Sequence, residues 1–313
     1  MRFTNGAFVW VVIAISMAAL PLRTMLAPAL HATAAAPANK SAAGEVTWQP
    51  TNVVNGAPIF FQVKWSKPLR SLHATWLSHD VPFVYDEANK TWSALAGVNL
   101  KTKAGSYPIE FAAETATGQA VTFVRTIRVQ SAHYRTVALS VPRKFTEPSP
   151  ADLAAIKQEE TLKKDVFEKV TPQREWSGAF HPPITLTDVR ISDQFGTARK
   201  FNGKVQSVHQ GLDYAVPQGT PIFATNEGTV VLSESLFFEG NCVMIDHGQG
   251  LLTLYMHLSE LKVKAGDYVE HGQQIGLSGA TGRATGAHLH IAVRWQGTYL
   301  DPATLFSFKL PAQ

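Results

Sequence analysis

The segment His288-Leu-His-Ile-Ala-Val-Arg-Trp295 decides the fold of the C-terminal half of the chain. Alternate side chains of a β-strand point to the same face, so His288 and His290 are predicted to project together while Leu289 enters the core. Strand patterns of the same kind recur upstream, at residues 228–233, 241–246 and 251–256. Short strands separated by glycine-containing turns predict a β-rich, antiparallel domain over residues 176–311.

The N-terminal half shows the same period of two in shorter runs. Ile59, Phe61 and Val63 share one parity, and turn signals such as Gly118 separate such runs. The pattern predicts a small β-sandwich of immunoglobulin-like shape over residues 45–132. Its tryptophans are interpreted as core filling, with a carbohydrate-stacking face as the alternative. They are Trp48, Trp65, Trp76 and Trp92.

Residues 133–175 are predicted to link the two β-rich regions through a helix. Ser149-Pro-Ala-Asp152 places a capping serine before a proline, with an aspartate three residues on, which predicts a helix start. The spacing of apolar residues predicts an amphipathic helix over residues 150–170, closed by Thr171-Pro172. The residues assigned to its apolar face are Leu153, Ile156, Val166, Phe167 and Val170.

Residues 1–34 have the pattern of a targeting segment. Arg2 precedes the fourteen apolar residues 7–20, and small-residue sites follow at residues 27–29 and 32–34. A run of this length fits a signal peptide and falls short of the ~20 residues that span a bilayer. A retained membrane anchor is the alternative. Either interpretation predicts an exported protein that is periplasmic or associated with the cell envelope.

The composition narrows the classes of protein to which the chain can belong. With 313 residues, of which 45% are hydrophobic and 17% charged, the chain has the make-up of a globular protein with about two domains. The net charge of +4 comes without a run of Lys or Arg, so nucleic acid is not an expected partner. Cys242 is the single cysteine, which rules out an intramolecular disulfide and a four-cysteine zinc site. Its apolar neighbours predict a buried thiol.

Several histidines and a carboxylate stand in motifs typical of a metal site. His209-Gln-Gly-Leu-Asp213 offers an imidazole and a carboxylate, and its glycine favours a loop running into a strand over a helix. His257 ends an apolar strand pattern. The glycine-rich segment 276–286 lets backbone approach a ligand closely, and it lacks the Gly-Lys-Ser/Thr ending of a phosphate-binding loop. The turn residues His247 and His271 are interpreted as solvated.

The order of these motifs resembles that of the lysostaphin-type (LytM-like) zinc endopeptidases, which are peptidoglycan hydrolases. The likeness covers roughly residues 176–307. It implies a LytM-like peptidase domain that holds one Zn²⁺ per chain. The ligands that it implies are His209, Asp213 and His290. It also implies that His257 and His288 are catalytic residues that do not bind the metal.

The resemblance implies a mechanism as well. Two imidazoles and one carboxylate leave a fourth coordination position for water, as in catalytic zinc sites, and zinc lowers the pKa of such a water to about 7. This zinc-activated water would be the nucleophile. His257 or His288 would accept its proton, and the other would stabilise the oxyanion or protonate the leaving amine. Tyr255 and Asn202 are candidate substrate contacts, with strand packing as the alternative for the tyrosine.

Two functions are consistent with these motifs. The first is a zinc-dependent endopeptidase that hydrolyses peptide cross-links of peptidoglycan, with the peptide stems as its partners. The second is a non-catalytic peptidoglycan-binding protein that activates a cell-wall amidase. Intact motifs at all five implied positions favour the first. The cleaved bond, the role of the N-terminal region and the oligomeric state stay open at the level of sequence.

Overall fold

The computed structural model describes residues 44–201, 203 and 205–310. The predicted signal peptide or anchor at residues 1–34 lies outside the described residues, and so does Asn202. Within the described ranges, no helix is both long and apolar enough to cross a membrane. Strands far outnumber helices there, which confirms the mainly β fold.

The N-terminal strands form a β-sandwich, as their alternation predicts. They are β1 (Glu45–Gln49), β2 (Val53–Val54), β3 (Pro58–Lys64), β4 (Leu69–Trp76), β5 (His79–Pro82), β6 (Val84–Asp86), β7 (Thr91–Gly97), β8 (Gly105–Thr115) and β9 (Ala120–Gln130). One sheet has the order β1-β3-β7-β6 and the other β2-β9-β8-β4-β5. Ile109 and Phe111 of β8 are buried between exposed neighbours. Phe61 of β3 meets Trp76 of β4 edge-on, with ring centroids 6.4 Å apart, so apolar faces of both sheets share one core.

The tryptophans of the sandwich serve its core. Trp76 is fully buried and donates its Nε1–H to the carbonyl oxygen of Gly97 at 2.9 Å. Trp92 is buried as well. Trp48 and Trp65 are half-buried and pack against the same core. Packing therefore accounts for all four side chains.

The remaining strands of the described residues form one large sheet and two small ones. They are β10 (Thr136–Leu139), β11 (Ile191–Asp193), β12 (Ala198–Phe201), β13 (Val205–Val208), β14 (Leu212–Tyr214), β15 (Pro221–Phe223), β16 (Gly228–Leu236), β17 (Gly240–Asp246), β18 (Leu251–Leu258), β19 (Glu260–Leu261), β20 (Tyr268–Val269), β21 (Gln274–Leu277), β22 (Leu289–Trp295) and β23 (Thr298–Leu300). The large sheet has the order β11-β14-β22-β18-β17-β16-β20, with β23 beside β22. The small sheets are β10-β12-β13 and β15-β21-β19.

The middle of the large sheet is buried on both faces. Tyr255 of β18 packs into one core cluster and its neighbour Leu254 packs into another. Strands with two buried faces have nearly continuous apolar sequences, which is why β17, β18 and β22 were recognisable in the sequence. β22 begins one residue later than predicted, because His288 pairs only through an isolated bridge to Gly279.

The helix α1 (Pro150–Glu168) starts where the sequence predicts and ends two residues earlier. The Ser149 side chain accepts from the Asp152 N–H, and the Asp152 carboxylate accepts from the Ser149 N–H, both at 3.1 Å. The predicted apolar face is wrong at Leu153 and Val170, which are exposed. The helix packs on the large sheet through Leu162, Val166 and Phe167. A second, short helix, α2 (Pro302–Phe306), and a 3-10 turn at Arg143–Phe145 complete the described elements.

Part of the predicted linker at residues 133–175 belongs to a β-sheet of the C-terminal region. Its strand β10 pairs in parallel with β12 of the C-terminal region. Trp176 packs against Phe60 of the sandwich, with ring centroids 6.3 Å apart, and His79 packs against Trp295 at 5.0 Å. The described residues thus fall within one compact unit. The domain limits at residues 132 and 176 stay predictions.

Candidate metal centre

The large sheet fixes the separation of Asp213 and His290. Asp213 of β14 lies opposite His290 of β22 in the strand register, which brings side chains of one face together. His209 comes from the loop that precedes β14. Gly211 lies in this loop, and a Cβ there would come within 2.5 Å of the His290 ring and 2.4 Å of a backbone oxygen of β22. Only glycine allows the loop to pass this close to His290.

Three atoms of the kinds that bind metal ions meet at this point. Nε2 of His209 lies 3.1 Å from Oδ1 of Asp213 and 3.0 Å from Nδ1 of His290. Nδ1 of His290 lies 2.7 Å from the same carboxylate oxygen. In a tetrahedral zinc site with bonds of about 2.0–2.1 Å, ligand atoms lie roughly 3.3 Å apart. The group His209, Asp213 and His290 could therefore hold a metal ion.

Burial and hydrogen bonding set the charges of these groups. Burial raises the pKa of Asp213, but hydrogen bonds from His209 and His290 outweigh it, so the pKa lies well below its usual range. Burial lowers the pKa of His290 to about 4, although the Asp213 carboxylate opposes this. Near neutral pH the carboxyl is therefore ionised and His290 neutral. These are the protonation states in which both groups bind a metal ion.

Further residues orient the three side chains. Arg199 of β12 donates from Nη2 to Oδ2 of Asp213 at 2.6 Å and from Nε to Asp193 at 2.7 Å. The Nδ1–H of His209 donates to the carbonyl oxygen of Gln194 at 2.9 Å, which turns Nε2 towards Asp213. Sequence reasoning missed Arg199 and Asp193. The contact of Asp193 with this group depends on the long-range pairing of β11 with β14, which places Asp193 opposite Asp213.

His257 and His288 lie beside this group, with ring centroids 4.7 Å apart. Each donates its Nδ1–H to a backbone carbonyl, His257 to Thr281 and His288 to Gly286, both at 2.8 Å. Nε2 of His288 lies 4.0 Å from Oδ1 of Asp213. Burial, followed by the charges of neighbouring histidines, lowers the pKa of His257 to about 3. The structure thus brings together all five residues that the resemblance implies.

A buried polar network corrects two interpretations of the sequence. Tyr255 is fully buried, and its hydroxyl accepts from the Thr225 N–H at 2.9 Å and lies 3.1 Å from Thr253 Oγ1. His247 is fully buried too: its Nδ1–H donates to the Glu227 carbonyl at 2.6 Å, and Nε2 lies 2.8 Å from Thr253 Oγ1. The prediction that Tyr255 contacts substrate is wrong, because its side chain points into the core. The interpretation of His247 as solvated is wrong for the same reason.

Two cavities border the candidate centre. One of about 320 Å³ has Asp213, His257 and His288 in its lining. A second, of about 210 Å³, has His209, His257 and His290 in its lining. Arg199 and Arg283 border both cavities. Each of the five residues therefore lines at least one of two neighbouring cavities, a groove that has arginine side chains along it.

Comparison with known proteins finds a family and several relatives that match part of the chain. Residues 207–302 match the model of peptidase family M23. Over 102 residues the chain is 46% identical to the peptidoglycan DD-endopeptidase ShyA of Vibrio cholerae, covering 32% of this chain and 24% of that protein. Over 123 residues it is 40% identical to the DD-carboxypeptidase/endopeptidase Mpg of Neisseria meningitidis, covering 39% and 28%. The chain spans about a quarter of the length of these two curated relatives.

A solved structure matches over more of the chain. A Pseudomonas aeruginosa protein described as a peptidase M23 superposes with a TM-score of 0.61 at 31% identity, covering 81% of this chain and 94% of that one. Fold and site together define a β-sheet protein with a His-Asp-His group that could hold a metal ion. The chain belongs to peptidase family M23.

Proposed function

We propose that this chain is a zinc-dependent endopeptidase that hydrolyses peptide cross-links of peptidoglycan. The convergence of His209, Asp213 and His290 carries the proposal, because it assembles three metal-type ligands beside two further histidines. Membership of family M23 supports it, as do relatives named for DD-endopeptidase activity. Peptide stems would be the binding partners, and the cell envelope the place of action.

The donor set fits zinc. Imidazole nitrogen and carboxylate oxygen are ordinary zinc ligands, and catalytic zinc sites use three protein ligands. His209 would bind through Nε2, His290 through Nδ1 and Asp213 through Oδ1, since these atoms face one another. Arg199 holds the other oxygen of Asp213. A bound zinc ion supplies Lewis acidity, which polarises a peptide carbonyl and makes water nucleophilic near neutral pH.

His257 and His288 would accept and donate the protons of the reaction. Because each gives its Nδ1–H to a backbone carbonyl, each has an unprotonated Nε2 when neutral. Within the described residues, no hydrogen-bond partner occupies either Nε2. One neutral ring would accept the proton of the attacking water. The other, once protonated, would donate to the oxyanion or the leaving amine.

The proposal is tested on purified sacculi. Zinc-loaded full-length protein is expected to release muropeptides with new free amines, detected by mass spectrometry. Chelation should stop the release, and added zinc should restore it. An activator would leave sacculi intact alone and would raise turnover only when a cell-wall amidase is added. That second pattern would overturn the proposed hydrolysis.

A further inference from the structure

The turn that joins β16 to β17, at residues 237–239, lies against His257. The carbonyl oxygen of Glu239 accepts a hydrogen bond from the His257 N–H at 2.8 Å. His257 has a left-handed backbone, with φ of 62°. A residue other than glycine keeps such a conformation only where its surroundings hold it. The hydrogen bond from the turn is part of this hold.

The same turn also contacts the glycine-rich segment that orients the His257 ring. The carbonyl oxygen of Phe238 accepts from the Arg283 N–H at 2.9 Å. A Cβ at Gly282 would come within 2.7 Å of this oxygen, so backbone packs on backbone here. Thr281, next to Gly282, accepts the Nδ1–H of the His257 ring at 2.8 Å. A shift of the turn would therefore disturb the supports of both the backbone and the ring of His257.

Helix α1 holds the turn through two charged side chains. The Glu159 carboxylate accepts from the Phe237 N–H, at 3.0 Å to one oxygen and 2.9 Å to the other. Nζ of Lys163 donates to Oε1 of Glu239 at 2.6 Å, and these two side chains are only 18% and 14% exposed. Hydrogen bonds between charged groups are stronger than neutral ones, and removing one partner of a buried ion pair leaves an uncompensated charge. The position of the turn therefore depends on the helix.

The spacing of the two side chains suits this hold. Glu159 and Lys163 are four residues apart, so they lie on the same face of the helix. Leu162 and Val166 of α1 pack on the large sheet nearby. None of the described α1 residues is in the lining of either cavity that borders the candidate centre. The helix can therefore act on the centre only through the turn and the sheet.

We infer that Glu159 and Lys163 are positioning residues, which hold the turn that places His257 for proton transfer. The inference rests on the proposed hydrolysis, in which His257 accepts or donates a proton. It gives the helix of the predicted linker a part in the reaction without any contact to substrate. The chain of contacts runs from Lys163 to the Glu239 side chain, and from the Glu239 carbonyl to His257.

Kinetics of Lys163→Met in the zinc-loaded full chain test this role. The substitution removes the charge that holds Glu239 and keeps a side chain of similar length. With a soluble cross-linked muropeptide, kcat should fall about 10- to 100-fold, because a displaced general acid or base loses part of its contribution. KM and the zinc content should stay at their wild-type values. Glu159→Ala, which frees the Phe237 N–H, should lower kcat in the same way.

A second measurement reports on the His257 ring itself. In protein labelled with heavy nitrogen at its histidines, NMR spectra should show the Nδ1–H tautomer of His257, because the Thr281 carbonyl accepts that proton. Lys163→Met should give a mixture of tautomers, and a His257→Gln variant identifies the signals. A purely structural role of the helix would lower the unfolding temperature and leave the tautomer unchanged.

The same helix offers matched controls. The side chains of Glu160 and Lys164 are exposed, and Lys164 pairs with Glu168 of the helix itself at 3.7 Å. Glu160→Ala and Lys164→Met should therefore keep the wild-type kcat and tautomer. Lys163→Arg, which keeps the positive charge, should retain most of the wild-type kcat.

Wild-type kcat or an unchanged tautomer in folded Lys163→Met would overturn the inference alone, and so would equal losses in Lys163→Met and Lys164→Met. If Lys163→Met is unfolded at the assay temperature, the same two measurements on Glu159→Ala decide. Failure of the zinc-loaded wild type to cleave the muropeptide would instead overturn the proposed hydrolysis, and this role with it.

Discussion

The two halves of the candidate centre are built in different ways. Asp213 and His290 lie opposite each other on paired strands, so backbone hydrogen bonds of the large sheet set their distance. His257 and His288 lie where strands end. His257 has a left-handed backbone with φ of 62°, and His288 pairs only with Gly279. Carbonyl groups of the glycine-rich segment hold both rings. Strand pairing therefore positions one half of the centre, Asp213 and His290 (the strand-borne half), whereas carbonyl groups of a loop hold the other half, His257 and His288 (the loop-borne half).

The largest effect is expected from the strand-borne half. Asp213→Ala removes the carboxylate between His209 and His290, so the protein should lose bound zinc. Loss of Lewis-acid catalysis, worth several kcal/mol, should lower turnover at least about 10⁴-fold. Zinc content by mass spectrometry and muropeptide release check this. Glu270→Gln, at an exposed turn, is the control. Retention of one zinc per chain with substantial activity would contradict the assignment.

The loop-borne half should affect turnover without affecting the metal. His288→Ala removes a ring that faces the larger cavity, and kcat should fall roughly 10²- to 10³-fold, as for loss of a general acid or base. Zinc stoichiometry should stay at one per chain. His271→Ala, an exposed histidine, should match the wild type. If His288→Ala loses zinc as well, the two halves are not separate.

The order of the motifs, through the family resemblance, implied Asp213 and His290 as ligands, whereas local strand geometry predicted only which side chains of one strand share a face. The spacing of His288 and His290 predicted that their side chains lie on the same face of a strand. His288 in fact precedes the first residue of β22. Tyr255 shows where this reasoning fails. Both faces of β18 are buried, so its period of two could not tell which face meets the groove.

Long-range pairing explains what the sequence did not reveal. Arg199 reaches Asp213 from β12, and β12 pairs with β10 of the predicted linker. No local pattern around Arg199 encodes this contact. His247 is buried because the Glu227 carbonyl and Thr253 meet its ring from two other strands or turns. Most of the fold and the five motif residues were therefore predictable, whereas their supporting contacts were not.

Substitution of Arg199 tests whether the strand-borne half depends on the long-range contact between Arg199 and Asp213. Arg199→Gln removes the ionic hold on Oδ2 of Asp213, so zinc affinity should fall about 10- to 100-fold, the usual effect of losing an outer partner of a metal ligand. Competition with a chromophoric chelator measures this directly. With saturating zinc, most of the turnover should return. Arg70→Gln, at an exposed ion pair of the sandwich, should leave affinity unchanged. Unaltered affinity in Arg199→Gln would show that the sheet alone positions Asp213.

The smallest effect concerns a histidine that shares one feature with the loop-borne half. Like His257 and His288, His247 donates Nδ1–H to a backbone carbonyl, but Thr253 occupies its Nε2. Burial lowers its pKa from 6.5 to about 4.

Below pH 6.5 the unfolded chain therefore takes up a proton that folded His247 does not, so its stabilising contribution is complete above pH 6.5 and is lost as the pH falls towards 4. Between pH 7 and 5.5, zinc-free wild type should lose about 1 kcal/mol more unfolding free energy than His247→Gln, measured by urea titration. The other histidines of the centre titrate in both proteins and cancel in this difference. Equal losses would mean that folded His247 takes up a proton as readily as a histidine of the unfolded chain, and burial would then not hold its ring neutral.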